Sequence, residues 1–143
     1  MKRRDFITLS GGAAATWSLA ARGQQPGTMR RIAILDSAGR EAEPHIAAFR
    51  HRLNGLGWHD GRNVQIEIRH GESDINQARN FAAQLAAMKP DIFFATNTQM
   101  VQLIQAKTRG IPIVFVNVPD PVGSGLVASF AHPGGNVTGF TNF

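Results

Sequence analysis

Five of the six residues in Ile111-Pro112-Ile113-Val114-Phe115-Val116 are apolar, and most of them are β-branched. A run with no polar alternation reads as a strand buried on both faces, the habit of a parallel sheet covered by helices. Asn117-Val118-Pro119-Asp120-Pro121-Val122 follows at once, so polar groups leave the strand between two prolines that stiffen the backbone. In open parallel α/β sheets the ligand crevice lies beyond the carboxyl ends of the strands. This strand and its exit are therefore the first place to look for function.

The rest of the chain supplies the partners such a strand needs. Arg31–Leu35 is a first strand, ending in Asp36-Ser37-Ala38-Gly39. Pro44 suits the first turn of a helix, with Glu41 and Glu43 near its positive end. Ile46, Phe49, Leu53 and Leu56 then form an apolar stripe, and Gly55 and Gly57 mark the helix end. Val64-Gln65-Ile66-Glu67-Ile68-Arg69 alternates with period two, the pattern of a strand with one solvated face, and belongs at the sheet's edge. Asp74 and Gln77 form a capping box for a helix whose buried face runs from Ile75 to Met88 and which Lys89-Pro90 stops. Asp91–Ala95 is a third, buried strand. A helix after Asn97 or Thr98 presents Met100, Val101 and Ile104, has Lys107 and Arg109 in its last turn and ends at Gly110.

After the Ile111 strand, Gly123-Ser124-Gly125 leads into a short helix with Leu126, Val127 and Phe130, and Val137–Phe140 begins a fifth strand. Strands joined through helices run parallel with right-handed crossovers. The expected fold is α/β, a doubly wound parallel sheet in the order 2-1-3-4-5, which leaves the half-polar second strand at an edge.

Met1-Lys2-Arg3-Arg4-Asp5-Phe6-Ile7 opens with a positive region, followed by a weakly apolar run to Ala21-Arg22-Gly23. Adjacent arginines, an aspartate and Phe-Ile resemble a twin-arginine export signal, with small residues at Ala21 and Gly23 where a signal peptidase reads. Residues 1–23 are thus expected to be a cleaved signal peptide, 24–29 a linker and 30–143 the folded lobe. No stable membrane span is expected after cleavage, because the apolar run is short and rich in glycine. Lys2, Arg3, Arg4 and Arg22 against Asp5 give the leader +3, leaving the remainder only +2 of the total +5. That is too little and too scattered for a nucleic-acid footprint. The absence of cysteine excludes disulfides, thiol nucleophiles and zinc–thiolate sites. The five histidines have no ligand spacing, so no metal site is expected. No cofactor fingerprint or nucleophile elbow follows any strand, so no catalytic residue and no cofactor are expected.

Three strand exits end in hydrogen-bonding residues: Asp36 and Ser37; Thr96, Asn97 and Thr98; Asn117 and Asp120. In the 2-1-3-4-5 order the first, third and fourth strands are neighbours, so these residues form one rim suited to a polar or zwitterionic small molecule. A helix N-terminus behind Thr98 offers N–H groups for a carboxylate. The same residue types also cap helices and turns.

The leader Arg3-Arg4-Asp5-Phe6-Ile7-Thr8-Leu9-Ser10-Gly11-Gly12, the Ile111–Phe115 strand, and above all Asp120-Pro121-Val122, Gly125-Leu126-Val127-Ala128-Ser129 and Pro133-Gly134-Gly135-Asn136-Val137-Thr138-Gly139 resemble one family. It is the ABC-transporter substrate-binding proteins related to the tryptophan/tyrosine-type importers. The resemblance implies a type I periplasmic-binding-protein fold, two α/β lobes with ligand in the cleft. It implies a non-enzymatic periplasmic protein serving the permease and ATPase subunits of an importer, with an amino acid or similar small organic solute as ligand. The chain is about half the family's usual length, so the expectation is a truncated form holding the N-terminal lobe alone, without the second lobe. The competing reading is a small flavodoxin-like α/β enzyme or regulatory domain.

Overall fold

The computed structural model describes residues 28–71 and 74–142. The leader at 1–23 and most of the 24–29 linker lie outside the described residues.

Strand β1 (Arg30–Asp36) leads through a 3-10 turn (Gly39–Ala42) into helix α1 (Glu43–Gly55), with Pro44 in its first turn. Strand β2 (Val64–His70), helix α2 (Ile75–Ala87), strand β3 (Ile92–Ala95) and helix α3 (Thr98–Gln105) follow. The chain then forms β4 (Ile113–Phe115) and β5 (Val137–Gly139). All neighbours pair in parallel, in the order β2-β1-β3-β4-β5. The edge position expected from the Gln65–Glu67–Arg69 alternation is the one β2 takes.

Side chains alternate across the sheet, so each strand feeds two cores. Ala33, Leu35, Phe93, Ala95, Ile113 and Phe115 face α2 and α3, where Ala82, Leu85, Val101 and Ile104 bury against them. Ile34, Val64 and Ile66 face the other way and meet Ile46 of α1, with Phe49, Leu53 and Phe94 half-buried around them. The first crossover runs in the opposite sense to the second and third, which puts α1 alone on its face. Helices α2 and α3 start on side-chain caps, whereas α1 has none: Asp74 Oδ1 accepts from the N–H of Asn76 and Gln77, and Asn97 Oδ1 accepts from Met100 N–H.

Three local expectations are corrected. Among the described residues, no helix follows β4. Asp120 Oδ1 accepts from Gly123 N–H at 2.7 Å, the N–H of Ser124 bonds the Asp120 carbonyl, and Gly125 takes a left-handed φ of 72°. Those bonds close tight turns over 121–125 and leave no continuing helical ladder, although Leu126 and Val127 still reach the core. Leu56 does not join the α1 stripe. It is the residue past the helix end and is 65% exposed. Lys107 and Arg109 lie beyond α3, which stops at Gln105 in turns bonded to the Ile104 carbonyl.

Candidate functional site

A cavity of about 490 Å³ opens at the carboxyl ends of β1, β3 and β4, on the face that carries α1. That volume lies within the range of about 300–1,000 Å³ usual for small-molecule sites. Asp36, Ser37, Thr96 and Asn117 from the expected rim line it together. Parallel register is the cause: Leu35 is level with Ala95, and Ala95 with Phe115, so the three strands end side by side.

Each of these residues is held differently. Asp36 is buried, and its Oδ2 accepts from Ala38 N–H at 2.9 Å and lies 3.2 Å from His70 Nδ1. Ser37 N–H donates to Thr96 Oγ1 at 3.1 Å, which stitches the β1 exit to the β3 exit. The Ser37 and Thr96 hydroxyls are 3.4 Å apart. Asn117 sits at φ 56°, a left-handed conformation that asparagine tolerates better than most residues, and it is exposed at the rim.

The other three expected residues do not line the cavity. Asn97 is the cap of α3, and its carbonyl oxygen occupies one first-turn N–H that a ligand carboxylate would otherwise have. Thr98 is the first residue of that helix. Asp120 is exposed and closes the turn onto Gly123.

Glu41 from the 3-10 turn, His45 from the first turns of α1, and Phe49, Phe94 and Val116 add to the wall. The sequence pattern gave the apolar ones to the core. They border the cavity because α1 packs over β1 and β2, leaving the β3–β4 side of that face without a helix. The Phe49 and Phe94 rings stack at 5.2 Å between centroids and 29° between planes. The result is a polar rim above an aromatic and aliphatic wall, which suits a solute with a polar head and an apolar body. Among the described residues, no three His, Asp or Glu side chains gather as a metal set, and no helix is long and apolar enough to cross a membrane.

The segment that carries the family resemblance has structural roles here. Asp120 closes its turn, Asn136 Nδ2 donates to the Ile111 carbonyl at 2.7 Å, and Gly139 packs against Phe115 so closely that a Cβ would strike its backbone oxygen and ring. These residues bind β5 to β4 and shape the loop between them.

Comparison with known proteins extends the resemblance. The family model described as ABC transporter substrate binding protein matches residues 33–143. A tyrosine-binding protein of Clostridioides difficile is 34% identical over 91 residues, covering 64% of this chain and 26% of the relative. Among solved structures, a ligand-free, open substrate binding protein with adhesive properties from Clostridium difficile superposes with a TM-score of 0.75 at 31% identity, over 80% of this chain and 39% of that one. The ABC domain in complex with L-Trp from Streptococcus pneumonia superposes with a TM-score of 0.71 at 26% identity, again over 80% and 39%. The chain thus spans about a quarter to two fifths of these relatives, and its sheet corresponds to one lobe of their fold. It belongs to the ABC transporter substrate binding protein family.

Proposed function

We propose that this chain is the solute-binding component of an ABC importer, and that its ligand is an amino acid or a similar small organic solute. The observation that carries the reading is the cavity at the exits of β1, β3 and β4, with hydroxyl and amide groups above an aromatic wall. Relatives described as binding tyrosine or crystallised with L-Trp support a ligand of that chemistry. Ser37, Thr96 and Asn117 would meet the solute directly, with Asp36 behind Ser37. Asn97, Thr98 and Asp120 stand further out and would contribute only to the outer rim. The role is binding rather than catalysis. The leader at residues 1–23 would send the protein to the periplasm by the twin-arginine route, to serve the permease and ATPase subunits of the importer. Replacing Arg3 and Arg4 by lysine should then leave uncleaved precursor inside the cell, and unchanged processing would exclude that route.

The binding test is calorimetry against the twenty amino acids, on the chain alone and joined after Phe143 to the remaining length of a relative. A cleft binder buries its ligand between two lobes. The expectation is weak binding by the chain alone and tight binding by the fusion. Thr96→Ala or Asn117→Ala should then cost roughly 1–3 kcal/mol, about 5- to 150-fold in affinity. The site assignment fails if both leave affinity unchanged while substitutions at the opposite end of the sheet, at Arg30 and Asp91, abolish it.

A further inference from the structure

Among the described residues, Asp36 is the charged side chain that is buried, at 2% exposure. Two donors converge on its Oδ2: the N–H of Ala38 at 2.9 Å and the imidazole of His70 at 3.2 Å. A carboxylate only accepts hydrogen bonds, so Nδ1 of His70 carries the hydrogen and Nε2 faces away. The pairing follows from register, since Asp36 and His70 stand opposite each other as the last residues of β1 and β2. Gly71 N–H bonds the Asp36 carbonyl at 2.7 Å directly beyond. The end of the edge strand thus grips both the main chain and the side chain of the last β1 residue. From the other side, Thr96 grips Ser37.

His70 does not line the cavity, and its side chain is 28% exposed. We propose that His70 is a positioning residue for the ligand rim: acting through Asp36, its imidazole holds the Ser37–Ala38 turn that sets the Ser37 hydroxyl at the cavity. The proposal rests on the reading of that cavity as the solute site. The physical argument is that a buried carboxylate deprived of a donor must find another. Turning toward the cavity that it lines would supply one, at the expense of the Ala38 N–H bond to Oδ2 that holds the Ser37–Ala38 turn.

The test compares His70→Asn, which keeps an N–H near the Nδ1 position, with His70→Leu, which keeps bulk and has no donor. Both are made in the full chain and measured at one pH, because Glu41 and His45 are titratable groups of the same cavity wall. The readouts are the Ser37 and Ala38 amide resonances in nitrogen–proton correlation spectra, and affinity for L-tyrosine and L-tryptophan. His70→Leu should displace those two resonances, leave the α3 amides in place and weaken probe binding about tenfold, the scale of one hydrogen bond to a charged group. His70→Asn should restore both. The proposal is overturned if the Leu variant leaves the two amides at their wild-type positions, or if the Asn variant behaves like the Leu variant. If wild-type protein binds neither probe, the ligand is a different solute, and the amide resonances decide whether His70 holds the turn.

Discussion

Thr96→Val removes one hydroxyl at almost constant volume and tests the stitch between the β1 and β3 exits. Thr96 Oγ1 accepts the Ser37 N–H at 3.1 Å, and both residues are half-buried. Two limits bracket the cost. Were the Ser37 amide left dry and unpaired, the full desolvation penalty would apply, roughly 1–3 kcal/mol. Were water to replace the hydroxyl, only the net worth of the bond would be lost, roughly 0.5–1.5 kcal/mol. Both residues border the cavity, so water can reach the amide and the lower bracket governs. The expected loss is about 1 kcal/mol, or about 4 °C in Tm for a lobe of this size. Urea unfolding should show a lower midpoint at unchanged slope. Thr96→Ser, which keeps the hydroxyl, should retain most of the stability. At 3.4 Å the contact between the two hydroxyls is long, so adding Ser37→Ala should show almost no coupling with Thr96→Val. If Thr96→Val is as stable as wild type while Thr96→Ser is the damaged variant, the methyl group matters and the hydrogen bond does not.

Two further outcomes are expected. Gly139→Ala places a methyl against the Phe115 backbone oxygen and ring, so β5 must part from β4. It should cost roughly 1–3 kcal/mol and speed hydrogen exchange at Phe140, whose N–H bonds the Phe115 carbonyl at 2.9 Å; unchanged exchange there would contradict the close packing. At the far end of the sheet, the Arg31 N–H and then the Arg30 guanidinium hold the Asp91 carboxyl below its ordinary value of 3.8. A depressed carboxylate contributes stability above its unfolded value and loses it as the pH falls through the lower folded one. Melting curves of wild type and Asp91→Asn should therefore differ slightly at neutral pH and converge under acid conditions. The gap should be small because the pair is exposed. A gap that widens on acidification would reverse the sign of the argument.

The elements legible in the sequence were those with a long periodic signature. The continuous apolar runs of β3 and β4, the alternation of β2, the Asp74 cap and a cap at Asn97 or Thr98 each depend on neighbours within a few residues. That is why sequence order alone could place them. The β4–β5 connection was misjudged for the opposite reason. Leu126 and Val127 carry an apolar signal that suits a helix, but Asp120 and Gly125 commit the backbone to turns before a helix can start. Leu56 has the correct spacing for the α1 stripe and misses the core because the helix ends one residue earlier.

By itself the sequence determined the parallel α/β class, the strand order and the three exits that come together, since crossover handedness and burial pattern leave little choice of topology. Tertiary structure decided which polar residues of those exits line the cavity. Asn97 and Asp120 are spent on local N–H groups, whereas Ser37, Thr96 and Asn117 line a common cavity. It also decided that Phe49, Phe94 and Val116 form a cavity wall, because that depends on which part of the sheet α1 leaves uncovered. The grip of His70 on Asp36 was likewise hidden, because the two residues are 34 positions apart and meet only through the register of β1 against β2. Local bonding is written in neighbouring residues, whereas the occupancy of a shared face is set by elements distant in sequence.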